Sequence, residues 1–438
     1  MTPGNISILI MAAALVFYIF ELLPIPVTAM CTAALMVIFK VIPASSAWAA
    51  FSSDSVLLMG GMTVIGSTLF STGVVEKIAS VIEKISGSRT ELSIFLLLVL
   101  GFIFSAFMNN TTVMIMFLPL LLGLIVKVQD DRFFEQKYVQ ALSVTVGAGG
   151  MSTLVGTGVN VAASSIMEKS GYSPIGFFDF AVLGTVLLAV SLVYIYTAGS
   201  KIARKLKKGG YRSELVKGFI SEYKQTERTP ETKKTSKMLI SSLIMISTVA
   251  ALVTRDLHHV SIGTVGICGA MTCIISGCIS FKDSLTKVSW NTLLTLGGTL
   301  GCSAALHESG GGRIIAESIL NLFESSLTPA SAFILLTVLS MVLSQFISNT
   351  GTVGILIPIG IAVGEQLGVN PTQIVYGITL AASCSFATPM ASHIQAMIID
   401  WGSYKFIDYI KYSGPITVIM TAVIILLIPI LFPLTYLP

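Results

Sequence analysis

The chain has 438 residues, of which 54% are hydrophobic and 11% charged, with a formal net charge of +4. So apolar a composition excludes a soluble globular domain, because most residues must face lipid or other apolar helices. The apolar runs have helix-spanning length and lack the alternation of a membrane barrel, and a positive charge gathered in one loop excludes a nucleic-acid partner.

In chain order, full spans are expected near 6–23, 25–43, 54–72, 134–153, 178–199, 237–254, 260–280, 288–306, 371–386 and 414–436, ten crossings in all. The first lacks a basic start and a small-residue cleavage pattern, so it reads as a retained span. Two further apolar stretches, 91–127 and 328–366, are too polar at their centres for one straight helix and read as re-entrant hairpins. Segments 74–88 and 309–325 carry charges and keep an apolar helical face, as interfacial helices do. Six cysteines lie in apolar segments without a paired spacing and are expected to be buried small hydrophobes.

The segment 201–237 holds 12 of the 26 basic residues and four acidic ones, so it is expected on the cytoplasmic side. Lys201, Arg204, Lys205, Lys207 and Lys208 follow a span directly, where an anionic inner leaflet would attract them. This anchor puts both termini outside a cell inner (plasma) membrane. Hairpin 91–127 then opens to the cytoplasm and hairpin 328–366 to the outside.

Each hairpin carries the same pattern. Ser105, Phe107, Asn110, Thr111 and Pro119 recur as Ser344, Phe346, Asn349, Thr350 and Pro358, every pair 239 residues apart. Gly60-Gly61 before Gly73 is mirrored by Gly297-Gly298 before Gly310, and Thr157 with Gly171 by Thr388 with Gly402. An offset of five crossings is odd, so the second repeat must be inverted. The expected fold is thus an all-α polytopic membrane protein of two inverted repeats, each with five spans, a hairpin and a broken helix, suited to alternating access.

At each hairpin tip the second arm starts at the Asn-Thr element, so its free N–H groups and positive dipole end face the site and favour an anion. Asn109, Asn110 and Thr111 in one tip, and Ser348, Asn349 and Thr350 in the other, add amide and hydroxyl groups. Capping a kink is the commoner role of such residues, but two copies at one spacing favour a binding site. Spans four and nine are interrupted at Gly147 to Gly150, Gly156 to Asn160 and Ala387-Thr388-Pro389. Their carbonyls, with Ser105, Asn109 and Asn110 on one side and Ser344, the Ile347 carbonyl and Asn349 on the other, suit Na⁺ better than a divalent ion.

Apart from Glu21, charged residues are nearly missing from the predicted membrane core, which argues against a proton relay and leaves sodium and helix dipoles to hold an anion. Signatures of an intramembrane enzyme are missing too, and no repeated pore-lining ring suggests a channel. No organic cofactor is implied.

The chain resembles the divalent-anion/sodium symporter family, within the ion transporter superfamily, through both hairpin motifs, Glu21-Leu-Leu-Pro-Ile-Pro-Val-Thr28, both Gly-Gly segments, Leu154-Val-Gly-Thr157 and Phe386-Ala-Thr-Pro389. The likeness covers nearly the whole length. It implies an elevator mechanism, a homodimer formed through a frame, sodium coupling, and substrate held between the tips. Frame pieces would be 1–88 and 237–326 and moving pieces 89–200 and 327–438, with 201–236 a basic connector.

By position, the resemblance assigns one sodium site to Ser105, Asn109, Asn110 and a Gly156 carbonyl, and the other to Ser344, Ile347, Asn349 and an Ala387 carbonyl. Substrate would meet Asn110, Thr111, Ser348, Asn349, Thr350, Thr388 and Pro389. Asn109 stands where the family carries Ser, and His393 lies four residues past Pro389, either titrating with substrate or bonding within the bundle. The expected function is sodium-coupled transport of a small di- or tricarboxylate such as succinate, malate, fumarate or citrate. The alternatives are an inorganic oxyanion such as sulfate, or carboxylate exchange.

Overall fold

A computed structural model describes residues 2–19, 22–87, 89–126, 132–206, 235–254, 259–288, 290–322, 327–388, 392, 394–395, 397–398, 402 and 404–436. Among them there is no strand, only an isolated bridge between Val369 and Tyr436. Glu21, Pro389, His393 and most of the basic connector lie outside the described residues.

Helices α1 (Pro3–Ile19) and α2 (Ile25–Ile38) open the chain, and a short α3 (Ala44–Trp48) leads into α4 (Asp54–Thr72). Ser53 caps α4 by accepting from Val56 N at 3.4 Å, and Gly73, at φ 89°, ends it in a left-handed turn that glycine alone adopts without strain. Next come α5 (Val74–Ser86), the first hairpin α6 (Thr90–Phe107) and α7 (Asn110–Val126), and α8 (Arg132–Met151). After a break at 152–157, α9 (Gly158–Lys169) completes that crossing. Helix α10 (Ala181–Tyr194) continues through a π segment into α11 (Ser200–Leu206), so the start of the basic connector extends the span.

The second half repeats this order: α12 (Thr235–Val253), α13 (Ile262–Ile275), a short α14 (Phe281–Lys287), α15 (Trp290–Glu308) and α16 (Gly311–Leu322). The hairpin α17 (Pro329–Leu343) and α18 (Asn349–Gln366), α19 (Thr372–Ser383) and α20 (Phe406–Leu431) follow. Gly310, at φ 74°, makes the turn before α16 that Gly73 makes before α5. Helices α5 and α16 are the two most amphipathic in the chain, as expected of interfacial helices.

Several expectations are corrected. Gly147 to Gly150 do not interrupt span four: they are helical, and the break begins at Ser152, where α8 has ended. The α13 helix has 14 residues and is shorter than the expected span 260–280. Cys31 and Cys268 are exposed on outward helix faces, whereas the other four cysteines are buried and all six are free. Gly171 has a left-handed backbone, at φ 83°. Its proposed mirror Gly402 does not; a Cβ there would overlap the Tyr404 ring. Lys137 is a buried residue of α8, its Nζ donating to Tyr138 Oη at 2.9 Å and lying 4.4 and 4.5 Å from the Tyr138 and Tyr196 ring centres.

The mirrored glycines make tight crossings. A Cβ on Gly61 of α4 would lie 2.3 Å from the Gly266 carbonyl oxygen of α13, and one on Gly298 of α15 would lie 2.7 Å from the Ala29 carbonyl carbon of α2. Each crossing therefore joins one half of the chain to the other. Thr72 and Ser241 share a hydrogen bond at 2.8 Å, and Ser309 donates to Ser7 at 2.8 Å, tying the same group of helices.

A second group is joined by buried polar side chains. Gln140 of α8 donates to Gln395 Oε1 at 3.0 Å and Ser413 Oγ at 2.6 Å, and Gln395 donates to Ser143 Oγ at 3.0 Å. The Tyr404 hydroxyl donates to the Gln136 carbonyl at 2.7 Å and accepts from Gln140 N at 3.0 Å. Tyr376 donates to Asp179 at 2.6 Å and Tyr172 to Glu365 at 2.8 Å. Tyr404→Phe leaves a buried carbonyl and a buried N–H without this partner, so it should destabilise the detergent-solubilised protein by about 1–3 kcal/mol, read as a lower thermal midpoint.

Candidate functional site

The two hairpin tips present the same local construction with different side chains. At the first, Asn109 Oδ1 accepts from Thr111 N at 2.9 Å and caps α7. At the second, Ser348 Oγ accepts from Gly351 N at 3.0 Å and caps α18. Capping and site-building therefore coincide: each cap fixes the first turn of an arm whose remaining N–H groups and dipole face the tip. Pro119 and Pro358 sit inside those arms and each removes one helical donor.

Burial does not divide the expected cation residues from the expected anion residues: Asn109, Asn110, Asn349 and Ala387 of the cation sets are half-buried, and Thr388 of the anion set is buried. Ser105, Gly156, Ser344 and Ile347 are fully enclosed, whereas Asn109, Asn110, Thr111, Ser348, Asn349 and Thr350 are half-buried. At the first site Ser105 Oγ donates to Asn110 Oδ1 at 2.6 Å. A Cβ on Gly156 would lie 2.6 Å from the Gly150 carbonyl oxygen and 2.7 Å from that of Ser105, and one on Gly150 would lie 2.2 Å from Asn110 Oδ1. Ser105, Asn110, Gly150 and Gly156 thus form one cluster of oxygens around backbone that only glycine can provide. Asn160, on α9, holds the break by donating to the carbonyls of Gly150, Met151 and Thr153 at 3.3, 3.4 and 2.8 Å. Its own Oδ1 is buried without a hydrogen-bond partner.

At the second site Asn349 Nδ2 donates to Ser385 Oγ at 2.8 Å, which ties the tip to the break after α19. Ser344 Oγ donates to the Met341 carbonyl at 2.9 Å. Gln345 Oε1 accepts from Ala387 N at 3.0 Å, and the Thr388 hydroxyl donates to the Gln345 carbonyl. Ser344, Asn349, Ala387 and Thr388 are brought together in this way. The Ile347 side chain packs on Ala14 of α1.

The hydrogen bonds also revise the repeat. Thr153 donates to the Ala106 carbonyl as Thr388 donates to that of Gln345, and positions 106 and 345 are 239 apart. Thr153 is therefore the structural counterpart of Thr388. Thr157, which spacing had paired with it, caps α9 by accepting from Val159 N at 3.4 Å. Thr153, Gln345 and Ser385 were not singled out from sequence, because comparing the repeats residue by residue selects only what both copies share.

The two sites approach one another through the broken spans. A Cβ on Gly147 of α8 would lie 2.4 Å from the Phe386 ring, so that glycine makes room for the aromatic group of the second break. Helix α9 packs along α18, α15 and α19.

A family model described as citrate transporter matches residues 15–353 and 326–437. An uncharacterized transporter of Methanocaldococcus jannaschii is 25% identical over 98% of this chain and 93% of its own length. A sodium-dependent dicarboxylate transporter of Staphylococcus saprophyticus is 21% identical over 98% of this chain and 88% of its own. Among solved structures, MtrF of Neisseria gonorrhoeae, described as illuminating a class of antimetabolite efflux pumps, aligns with a TM-score of 0.59 at 14% identity, covering 87% of this chain and 82% of that one.

Proposed function

The chain belongs to the citrate transporter family, and from that premise we propose that it is a sodium-coupled symporter of small organic anions, di- or tricarboxylates such as succinate, malate, fumarate or citrate. It is a multi-pass membrane transporter and not an enzyme. The observation that carries the proposal is the pairing, at both tips, of a capped helix start with a dry oxygen cluster directly behind it.

The chemistry follows from that layering. Neutral oxygens from Ser105, Asn109, Asn110 and Gly156, and from Ser344, Ile347, Asn349 and Ala387, coordinate a monovalent cation at each tip. The half-exposed Asn110, Thr111, Ser348, Asn349 and Thr350, with Thr388 and Pro389, then meet the carboxylates, whose charge is balanced by sodium and the two helix starts. His393, four residues past Pro389 in sequence, keeps the two readings given above, titration with substrate or a bond within the bundle. The relative from Staphylococcus saprophyticus, named as sodium-dependent and dicarboxylate-transporting, supports both assignments.

An elevator movement of 89–200 and 327–438 against a frame of 1–88 and 237–326 is supported by how the groups touch. The long-range side-chain hydrogen bonds named above stay within one group or the other. Contacts across the boundary include close approaches to small residues: Met108 against Gly66, Thr299 against Gly354, Pro358 against Gly312, and Ile347 against Ala14. Small residues at these points ease sliding. The repeats are inverted, the frame forms the homodimer, the protein lies in the plasma membrane with the connector 201–236 cytoplasmic, and both termini lie outside.

Reconstitution in liposomes tests the reading. Labelled succinate and citrate are expected to accumulate under an inward sodium gradient, and equal uptake in choline buffer would overturn sodium coupling. Uptake that requires internal carboxylate and ignores the gradient would instead establish exchange.

A further inference from the structure

We propose that Gln345 is a positioning residue that assembles the second cation site, a role for which the first repeat uses Asn160. The proposal rests on the sodium reading above and concerns how one of its two sites is built.

Gln345 is buried at the end of the first arm of the second hairpin, one residue after Ser344. Its Nε2 donates to the Met341 carbonyl at 2.9 Å and the Cys384 carbonyl at 3.1 Å, and lies 3.4 Å from Ser344 Oγ. Its Oε1 accepts from Ala387 N at 3.0 Å, and its backbone carbonyl accepts from Thr388. An amide has two donor hydrogens and one acceptor oxygen, so this side chain is fully used. One group therefore joins the unsatisfied carbonyl end of the arm to both sides of the break after α19. Ala387, whose carbonyl belongs to the cation site, is fixed by the Gln345 side chain, and Thr388, which belongs to the anion site, by the backbone carbonyl of the same residue.

The corresponding position in the first repeat, 239 residues earlier, is Ala106, whose methyl cannot do this. There the break is held from its far end, by Asn160 donating to the Gly150 and Met151 carbonyls at the end of α8 and to the Thr153 carbonyl within the break. The two repeats have thus reached the same arrangement of break carbonyls with an amide delivered from opposite sides. A neutral amide fits either place, since it donates to carbonyls without bringing a charge next to the cation.

The test uses the full chain in detergent, without any organic anion, melted across a NaCl series at constant ionic strength with choline chloride. Sodium binding to the folded state raises the thermal midpoint by mass action. The Gln345→Met variant, close in volume but unable to bond, should need about tenfold more NaCl for half its stabilisation, the lower end of what outer partners of metal ligands contribute. Because Met could loosen the whole fold, Cys384 alkylation by N-ethylmaleimide is followed by mass spectrometry, with Cys302 of the frame as reference. Both thiols are free and buried.

Faster labelling of Cys384 alone, together with the shifted NaCl dependence, supports the role. An unchanged NaCl midpoint in the variant overturns it, as does equal acceleration at Cys302, which would mark general unfolding. A wild-type protein that NaCl does not stabilise would overturn the sodium reading itself, a result distinct from either.

Discussion

Gly150→Ala should remove most transport while leaving a folded protein. The added methyl would lie 2.2 Å from Asn110 Oδ1 and 2.6 Å from its Nδ2, closer than any real contact, so Asn110 must turn away. That turn breaks its bond from Ser105 and withdraws an amide assigned to both the cation and the anion. Losing hydrogen bonds to charged partners costs about 1.5–3 kcal/mol each, which is about tenfold to over a hundredfold in half-saturating sodium or substrate. Because a side chain and not backbone is displaced, the thermal midpoint in choline buffer should change little. Gly158→Ala, eight residues on, is the matched control: its methyl would meet nothing nearer than Thr292 Cγ2 at 3.7 Å, and uptake should stay near wild type. Equal activity in both variants would remove Asn110 from the site.

Much of this arrangement is legible in the sequence because apolar runs and glycines report on lipid and on backbone. The boundaries of α4, the turns at Gly73 and Gly310, both hairpins and the two amphipathic helices α5 and α16 follow from hydropathy, charge and glycine. Gly147, Gly149 and Gly150 read as a helix break but serve close approach instead, admitting Phe386, the Phe102 carbonyl and Asn110 within an intact helix. Composition alone does not separate a glycine that ends a helix from one that lets a neighbour in. The internal offset exposed Asn110 and Asn349 but hid Gln345, and it placed Asn160 in a break without showing what it holds, since each repeat solves the clamping of its break with a residue the other lacks. Thr153 was hidden for a related reason: its true partner Thr388 lies 235 residues later, off the common offset because 47 residues separate Ala106 from Thr153 and 43 separate Gln345 from Thr388.

The second large effect falls on stability. Gly61→Leu and Gly298→Leu should both fail to give a monodisperse folded protein, and the milder Gly61→Ala and Gly298→Ala should melt earlier. At Gly61 the obstruction is the Gly266 carbonyl at 2.3 Å and its Cα at 3.0 Å, and at Gly298 it is the Ala29 backbone at 2.7 Å. Backbone cannot rotate aside, so the helices must separate, and an overpacked contact costs about 1–3 kcal/mol even for small additions. In lipid the penalty is felt directly, because packing and not water exclusion holds such helices together. Gly60→Ala is the discriminating control: its methyl would reach Leu293 Cδ1 at 3.7 Å, an ordinary contact, and should be tolerated. If the frame is built by two equivalent crossings, α4 on α13 and α15 on α2, the two alanine variants should lose thermal stability to similar extents in size-exclusion-monitored melts. A loss at one crossing with none at the other would show that only one of them holds the halves together, and the frame could not then be a symmetric support for two hairpins.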